Sequence, residues 1–300
     1  MNDILDKYLT IIHEQMQYNS LKNIFCIKSN PLCFNEVTKE SILSSIKEIQ
    51  KLSIIDKEYL IQFYVNKFQN TFYSTNQYID FQKKDYLEIR KIFELLLQDI
   101  SNQQLLFEQI EERHYERIQS LIKKTNPTIH KLNRNNDIIA KTFVCAEYSA
   151  QFQIDLLGIE INDLREPILD IGCGEYGYLV EFLRNNNLEA YGIDRLHKTE
   201  NYYVKNNWLE FNYGQQKWGT IVSNLSFSNH FINHYLQNDK VDIVYAQTYM
   251  KILKSLLIGG SWIYAPSVPF IEDLLPHDKY LVNRSFINSE FTKTIITVIR

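Results

Sequence analysis

Residues 168–177, Ile-Leu-Asp-Ile-Gly-Cys-Gly-Glu-Tyr-Gly, constrain the fold of this chain more than any other stretch. The apolar run Ile168–Ile171 has the length of a buried strand, and it enters three glycines spaced G-x-G-x-x-G. Glycine tolerates positive φ, so Gly172, Gly174 and Gly177 mark a tight turn from strand to helix. The helix is expected over Tyr178–Asn185. Further short apolar segments, Ala190–Ile193, Thr220–Ser223 and Trp262–Ala265, alternate with helical ones. That alternation predicts a parallel sheet with helices on both faces. Tyr280–Phe286 and Thr292–Ile299 are separated by a short turn and predict an antiparallel hairpin.

The first 125 residues have a different grammar. They contain no glycine and read as helices. Tyr86, Ile89, Phe93, Leu96 and Ile100 recur at three- and four-residue steps, which places them on one helix face. Ser101 and Gln104 have the spacing of a capping box for the next helix. Phe107, Ile110, His114, Ile118 and Leu121 then fall on one stripe. Apolar stripes need partners, so a helical bundle is expected. The polar stretch from Asn126-Pro127 to Asn133-Arg134-Asn135-Asn136-Asp137 is the expected junction, dividing the chain into domains 1–130 and 131–300. A helix from about Ile138 to Leu157, ending near Gly158, opens the second.

Composition narrows the class. With 45% hydrophobic and 23% charged residues, the chain has the make-up of an ordinary globular protein. A net charge of -4 and a pI near 6.0 supply no global attraction for nucleic acid or anionic membrane. Cys26, Cys33, Cys145 and Cys173 show no paired C-x-x-C spacing, so neither a zinc site nor a disulfide framework is indicated. The acidic N-terminus lacks a secretion signal. The uncharged stretch Ser255–Phe270 is interrupted by Gly259-Gly260 and two prolines and is too short to span a bilayer. A soluble protein of the cytoplasm is the expectation, with the oligomeric state left open.

Four features refine the glycine turn. Asp170 stands two residues before the first glycine. Asp194 follows the strand Ala190–Ile193, where a carboxylate can accept from two ribose hydroxyls. Leu256-Leu257-Ile258-Gly259-Gly260 precedes Trp262–Ala265, and the hairpin comes last. In this order they resemble the class I S-adenosylmethionine (SAM)-dependent methyltransferases over roughly Ile138–Arg300. The N-terminal region matches no family pattern.

The resemblance implies an α/β fold: a doubly wound, mostly parallel seven-stranded sheet with a C-terminal antiparallel hairpin, preceded by an all-α N-terminal region. It implies SAM as cofactor, held by Asp170, Gly172, Cys173, Gly174, Gly177 and Asp194. Gly172 and Gly174 would let backbone approach the cofactor, and Gly177 would let the helix pack on the strand. Asn207 falls where an acid often receives the adenine amino group, and Trp208 is placed to cover the adenine or to pack in the core. Glu210 is a second acidic partner. Asn224 lies at the end of the fourth strand, an edge that faces the sulfonium in related folds.

The acceptor side is more open. Ser223-Asn224-Leu225-Ser226 contains no proline, unlike the Asn/Asp-Pro-Pro-aromatic turn of amino-group methyltransferases acting on nucleobases or glutamine. His230 and His234 share a helix face. They are candidates for a catalytic base, for a metal pair or for plain packing; no third ligand is evident, and no metal site is assigned. Tyr148, Glu147 and Gln151, on the helix before the glycine strand, and the run Tyr264–Phe270 are either site walls or core. The expected reaction moves a methyl group to an oxygen or nitrogen of a small or medium-sized molecule, with the helical region capping the site and selecting the acceptor. Rival readings are a protein or RNA methyltransferase, a SAM-binding regulatory protein without turnover, and a dehydrogenase.

Overall fold

The computed structural model describes residues 3–19, 22, 32–102, 104–126, 148–196, 199, 201–238, 240–287 and 292–300. The chain divides into two compact units, Met1–Val144 and Cys145–Arg300. The boundary expected at 130/131 falls among residues 127–147, outside the described residues. So does the first part of the helix expected from Ile138.

The first unit is helical: α1 (Asp3–Asn19), α2 (Glu36–Lys51), α3 (Ile54–Thr75), α4 (Asp85–Ser101) and α5 (Phe107–Thr125). Apart from Tyr86, which is half-buried, the expected stripes are its inner faces. Ile89, Phe93, Leu96 and Ile100 of α4 are buried, as are Phe107, Ile110, His114, Ile118 and Leu121 of α5. Burying a large apolar side chain contributes roughly 1.5–3 kcal/mol, so these faces outweigh the helices' modest intrinsic propensity. The α4–α5 pair is also tied by Arg117, whose guanidinium donates to Asp99 Oδ2 at 2.6 Å. Ser101 does not open α5. It ends α4 and donates back to the Leu97 carbonyl at 2.8 Å, the local competition expected of a serine hydroxyl. The start of α5 is held instead by Gln109, whose side-chain oxygen accepts from the Leu106 N–H at 3.0 Å.

In the second unit α6 (Ala150–Leu157) is capped by Ser149, which accepts from the Phe152 N–H, and stops at Gly158 with φ 55°. Seven strands follow: β1 (Ile168–Ile171), β2 (Ala190–Asp194), β3 (Tyr203–Lys205), β4 (Trp218–Asn224), β5 (Leu256–Ala265), β6 (Tyr280–Phe286) and β7 (Thr292–Val298). Between them run α7 (Tyr178–Asn185), α8 (Phe227–Gln237), α9 (Val241–Ser255) and the single turn α10 (Pro269–Glu272). The sheet order is β3-β2-β1-β4-β5-β7-β6. The first five strands are parallel, and β7 runs antiparallel to both β5 and β6.

All four residues of β1 and all seven of β4 are buried, as the centre of a doubly covered sheet requires. Alternate side chains feed two cores. Leu169 and Ile171 join Phe227, Tyr249, Trp262 and Tyr264 on one face; Ile168 joins Leu157, Leu179 and Leu183 on the other.

Two expectations change. β3 is an unanticipated strand in which only Tyr203 is buried. Gly259 and Gly260 are not a turn before β5 but lie inside it, where the pairing shifts register from Trp218↔Leu256 to Thr220↔Ser261. Gly259 has φ 77°, and a Cβ on Gly260 would stand 2.8 Å from the Gly219 carbonyl oxygen. The pair therefore builds a bulge.

Candidate functional site

Strand order reverses between β1 and β4, and in open α/β sheets ligands bind beyond the carboxyl ends of the strands at such a switch point. The glycine turn after β1 and the last residue of β4, Asn224, occupy this position. Gly172, Gly174 and Gly177 all have positive φ, at 78°, 76° and 59°. The turn is anchored to β2. The N–H groups of Gly172 and Cys173 both donate to the Ile193 carbonyl, at 2.9 and 3.2 Å, and the Gly174 N–H donates to Asp194 Oδ2 at 3.0 Å.

Asp194 therefore has two structural bonds, since its Oδ1 also accepts from the Leu196 N–H at 2.8 Å. Each carboxylate oxygen retains a second lone pair. Lys205 is opposite Asp194 in the β2–β3 register. Burial pushes its ammonium pKa down, while Asp194 and Glu175 oppose that shift.

Asp170 is in the opposite situation. It is 1% exposed, and neither carboxylate oxygen has a hydrogen-bond partner. Burial, with a smaller contribution from the Asp194 charge, raises its pKa to about 8. On the neighbouring strand both polar atoms of the Asn224 side chain are likewise buried without a partner. Cys173 is buried, and burial pushes its thiol pKa up. It is an inert apolar wall rather than a nucleophile.

Gly172 and Gly177 each have a separate steric reason. A Cβ on Gly172 would stand 2.6 Å from Ser226 Cβ and 3.1 Å from Trp208 Cζ3. The missing side chain thus admits two of the protein's own residues on that side, where close approach to a ligand was expected. Ser226 is held there by donating to the Ile171 carbonyl at 2.7 Å and by contact with the Ser223 hydroxyl at 2.9 Å. At Gly177 a Cβ would collide with the Tyr203 ring, so this glycine makes room for β3. Ser226 and Tyr203 carried no sequence signal, because both approach the turn from distant segments.

Trp208 is fixed at three points. Its carbonyl accepts from Tyr213 Oη at 2.8 Å, its indole N–H donates to Tyr245 Oη at 3.2 Å, and its ring meets His230 edge to face at 4.9 Å. Asn207 uses its side-chain oxygen to accept from the Leu209 N–H at 2.9 Å. His230 is 3% exposed, and burial, helped by Arg195 and His234, pushes its pKa well below the usual histidine value. His234, one turn on, stacks on Tyr245 at 5.2 Å. Among the described residues no three His, Cys, Asp or Glu side chains are grouped to hold a metal ion.

Tyr148 stacks on Phe152 at 4.8 Å, and Gln151 donates to Asp155 at 2.8 Å along α6. Glu147 lies outside the described residues. In the run Tyr264–Phe270, Tyr264, Ala265, Ser267 and Val268 are buried, Pro266 and Phe270 are half-buried and Pro269 is exposed. Tyr264 donates to the buried Glu272 carboxylate at 2.5 Å, and Arg284 of β6 pairs with the same carboxylate.

No family profile matches the sequence, and no curated protein is detectably similar to it. Solved structures do overlap with it. A putative methyltransferase from Streptococcus mutans, crystallised in complex with SAH, is 14% identical over 51% of this chain and 99% of its own, with a TM-score of 0.32. The N-methyltransferase NodS from Bradyrhizobium japonicum is 13% identical over 49% and 92%, with a score of 0.34. An rRNA methylase from Streptococcus thermophilus is 13% identical over 51% and 98%, also at 0.34. Likenesses this weak carry no argument about activity. The strand order, with β7 inserted between β5 and β6, together with the glycine turn at the switch point, defines the second unit as a Rossmann-like α/β domain of the class I methyltransferase fold. Among the described residues no helix is long and apolar enough to cross a membrane.

Proposed function

We propose that the α/β unit binds SAM and transfers its methyl group to an oxygen or nitrogen of a small or medium-sized acceptor. The observation that carries this reading is Asp170: a carboxylate buried at the switch point, with both oxygens free of partners and its pKa held near 8. A group in that state has most to gain from a cationic, hydrogen-bonding ligand, which favours the charged carboxylate. The ammonium end of a methionine moiety is such a ligand. Asn224, with a free donor and a free acceptor, suits the polar groups beside it. Asp194 has lone pairs left for ribose hydroxyls. Gly172, Cys173, Gly174 and Gly177 shape the turn, and Asn207 and Trp208 are assigned to the adenine side.

SAM brings an already activated methyl group on a sulfonium, so the protein's task is alignment. Holding a nucleophile in line at near-contact distance can lower a barrier by about 7–11 kcal/mol without acid–base help. His230, kept uncharged by burial, is the residue assigned to accept a proton or hydrogen bond from the acceptor, and His234 supports it. The helical unit, which lies outside the shared fold, is assigned acceptor selection.

The test is twofold. Calorimetric titration should give saturable binding of SAM and SAH. Incubation with methyl-labelled SAM and fractionated small molecules should yield SAH and one labelled product by mass spectrometry. Binding without SAH under any condition would make the protein a SAM-responsive binder, and no binding at millimolar SAM would remove the reading altogether.

A further inference from the structure

The two edges of the sheet are built differently. β3, at one end, is three residues long and carries Lys205; a short, charged edge discourages pairing with another chain. β6, at the other end, is seven residues long, Tyr-Leu-Val-Asn-Arg-Ser-Phe, with no lysine, acid or proline. It pairs with β7 without interruption from Tyr280↔Val298 to Phe286↔Thr292, so no bulge bends it away. Its one charge, on Arg284, is already engaged by Glu272 and Asp273. Leu281 is 50% exposed and Phe286 83%.

The phase of the ladder tells which backbone groups are left over. In an antiparallel pair, residues alternate between exchanging both hydrogen bonds with the neighbouring strand and turning them outward. The Ile299 N–H donates to the Lys279 carbonyl at 2.9 Å, one step before the first pair of β6. Leu281, Asn283 and Ser285 therefore bond to β7, and Val282, Arg284 and Phe286 direct their N–H and C=O groups away from the sheet. Among the described residues no backbone hydrogen bond outside the ladder reaches these three. The Tyr280 carbonyl is outward too, whereas its N–H donates to the Pro276 carbonyl at 3.0 Å.

We propose that β6 is a homodimer interface, pairing antiparallel with β6 of a second copy across a twofold axis at Asn283. A twofold axis presents the same patch on both copies, so an edge strand must complement itself, and this one does in a single register. An axis at Arg284 would set two cationic residues face to face. An axis at Asn283 sets each Arg284 opposite Val282 of the second copy and each Phe286 opposite Tyr280. Outward groups then meet outward groups: Val282 and Arg284 exchange both hydrogen bonds, and the Phe286 N–H reaches the Tyr280 carbonyl. The exposed Phe286 gains an aromatic cross-strand neighbour, which adds to the pairing. On the axis the two Asn283 carboxamides face one another, and each can donate and accept. The interface rests on the sheet edge alone and stands whether or not the α/β unit binds SAM.

Sedimentation velocity on the full chain, from micromolar to submillimolar concentration, should show a monomer–dimer equilibrium. Val282→Pro removes an outward N–H and no bond to β7, a change that edge strands accept. It should raise the dimer dissociation constant about 10- to 100-fold, because symmetry removes two hydrogen bonds at once. Asn283→Cys reads the register separately. Directly opposed residues at the axis have Cα atoms about 4.5 Å apart, within disulfide reach, so mild oxidation should give a covalent dimer on a non-reducing gel. Ser285→Cys should add nothing to the wild-type background, because its twin lies about 13 Å along the strand. Should Val282→Pro not fold, the two cysteine variants decide alone. A chain that stays monomeric throughout, a dimer that Val282→Pro does not weaken, or equal cross-linking of Asn283→Cys and Ser285→Cys would each overturn the assignment.

Discussion

Asp194 Oδ2 accepts the Gly174 N–H at 3.0 Å, which pins the glycine turn after β1 to the end of β2. One carboxylate thus shapes the turn and, in the proposed reading, also holds the ribose, so the two roles can be separated by substitution. Asp194→Ala should reduce SAM affinity about 10- to 100-fold, the range for losing hydrogen bonds to a charged group. Asp194→Asn retains an acceptor for Gly174 and should lose less. Unaltered calorimetric affinity in Asp194→Ala would refute the ribose assignment.

Asp170 predicts a pH signature. Its native pKa of about 8 exceeds the ordinary 3.8, so between those values the folded protein holds a proton that the unfolded chain has released. Its contribution to stability is fully present below pH 3.8 and is lost as pH rises through about 8. Asp170→Asn keeps the neutral shape. Its stability advantage over the wild type should be near zero at acid pH and grow to about 4–6 kcal/mol at the alkaline end, while SAM affinity falls. All three tryptophans, Trp208, Trp218 and Trp262, lie in the α/β unit, so tryptophan fluorescence during thermal unfolding reads this unit selectively. A pH-independent difference between the two proteins would contradict the prediction.

Gly172 and Gly214 separate backbone strain from crowding. Both have φ near 77–78°, but a Cβ at Gly214 meets nothing closer than 3.4 Å, whereas one at Gly172 lies 2.6 Å from Ser226 Cβ. Gly214→Ala should cost about 1–2 kcal/mol, the left-handed penalty alone. Gly172→Ala adds about 1–3 kcal/mol of overpacking. Equal losses in the tryptophan-monitored transition would mean that Ser226 moves aside freely.

His230 should remain neutral through the physiological range, because burial disfavours its imidazolium. The corresponding stability is present above its ordinary value of 6.5 and is lost as pH falls toward the lower native pKa. Its NMR ring-proton signal should therefore not shift between about pH 6 and 8. A midpoint near 6.5 would show that the ring is solvated, and with it the contact to Trp208 would be in doubt.

Much of the second unit was readable from local pattern. β1, the helix Tyr178–Asn185 and the closing hairpin are short runs whose periodicity and punctuation match their final state. Their neighbours were not. β3 is three residues with one buried side chain, too short for a period to register. Gly259-Gly260 has a turn's composition but a bulge's geometry, because β4 lies alongside and continues the pairing beyond it. Ser101 has a cap's identity, yet its hydroxyl bonds a carbonyl one turn back. At the site, Asp170 and Asp194 were apparent from their places relative to strand ends. Ser226 against Gly172 and Tyr203 against Gly177 were not, since contacts between distant segments leave no trace in spacing.

β7 comes after β6 in the chain but lies between β5 and β6 in the sheet. Until Thr292–Val298 docks, β5 has a bare row of amides and carbonyls and β6 has no neighbour to hold it. Such an open margin is a template for another chain. A truncation before Thr292 should therefore produce intermolecular strand pairing and insoluble protein, even though every residue of the glycine turn would still be present.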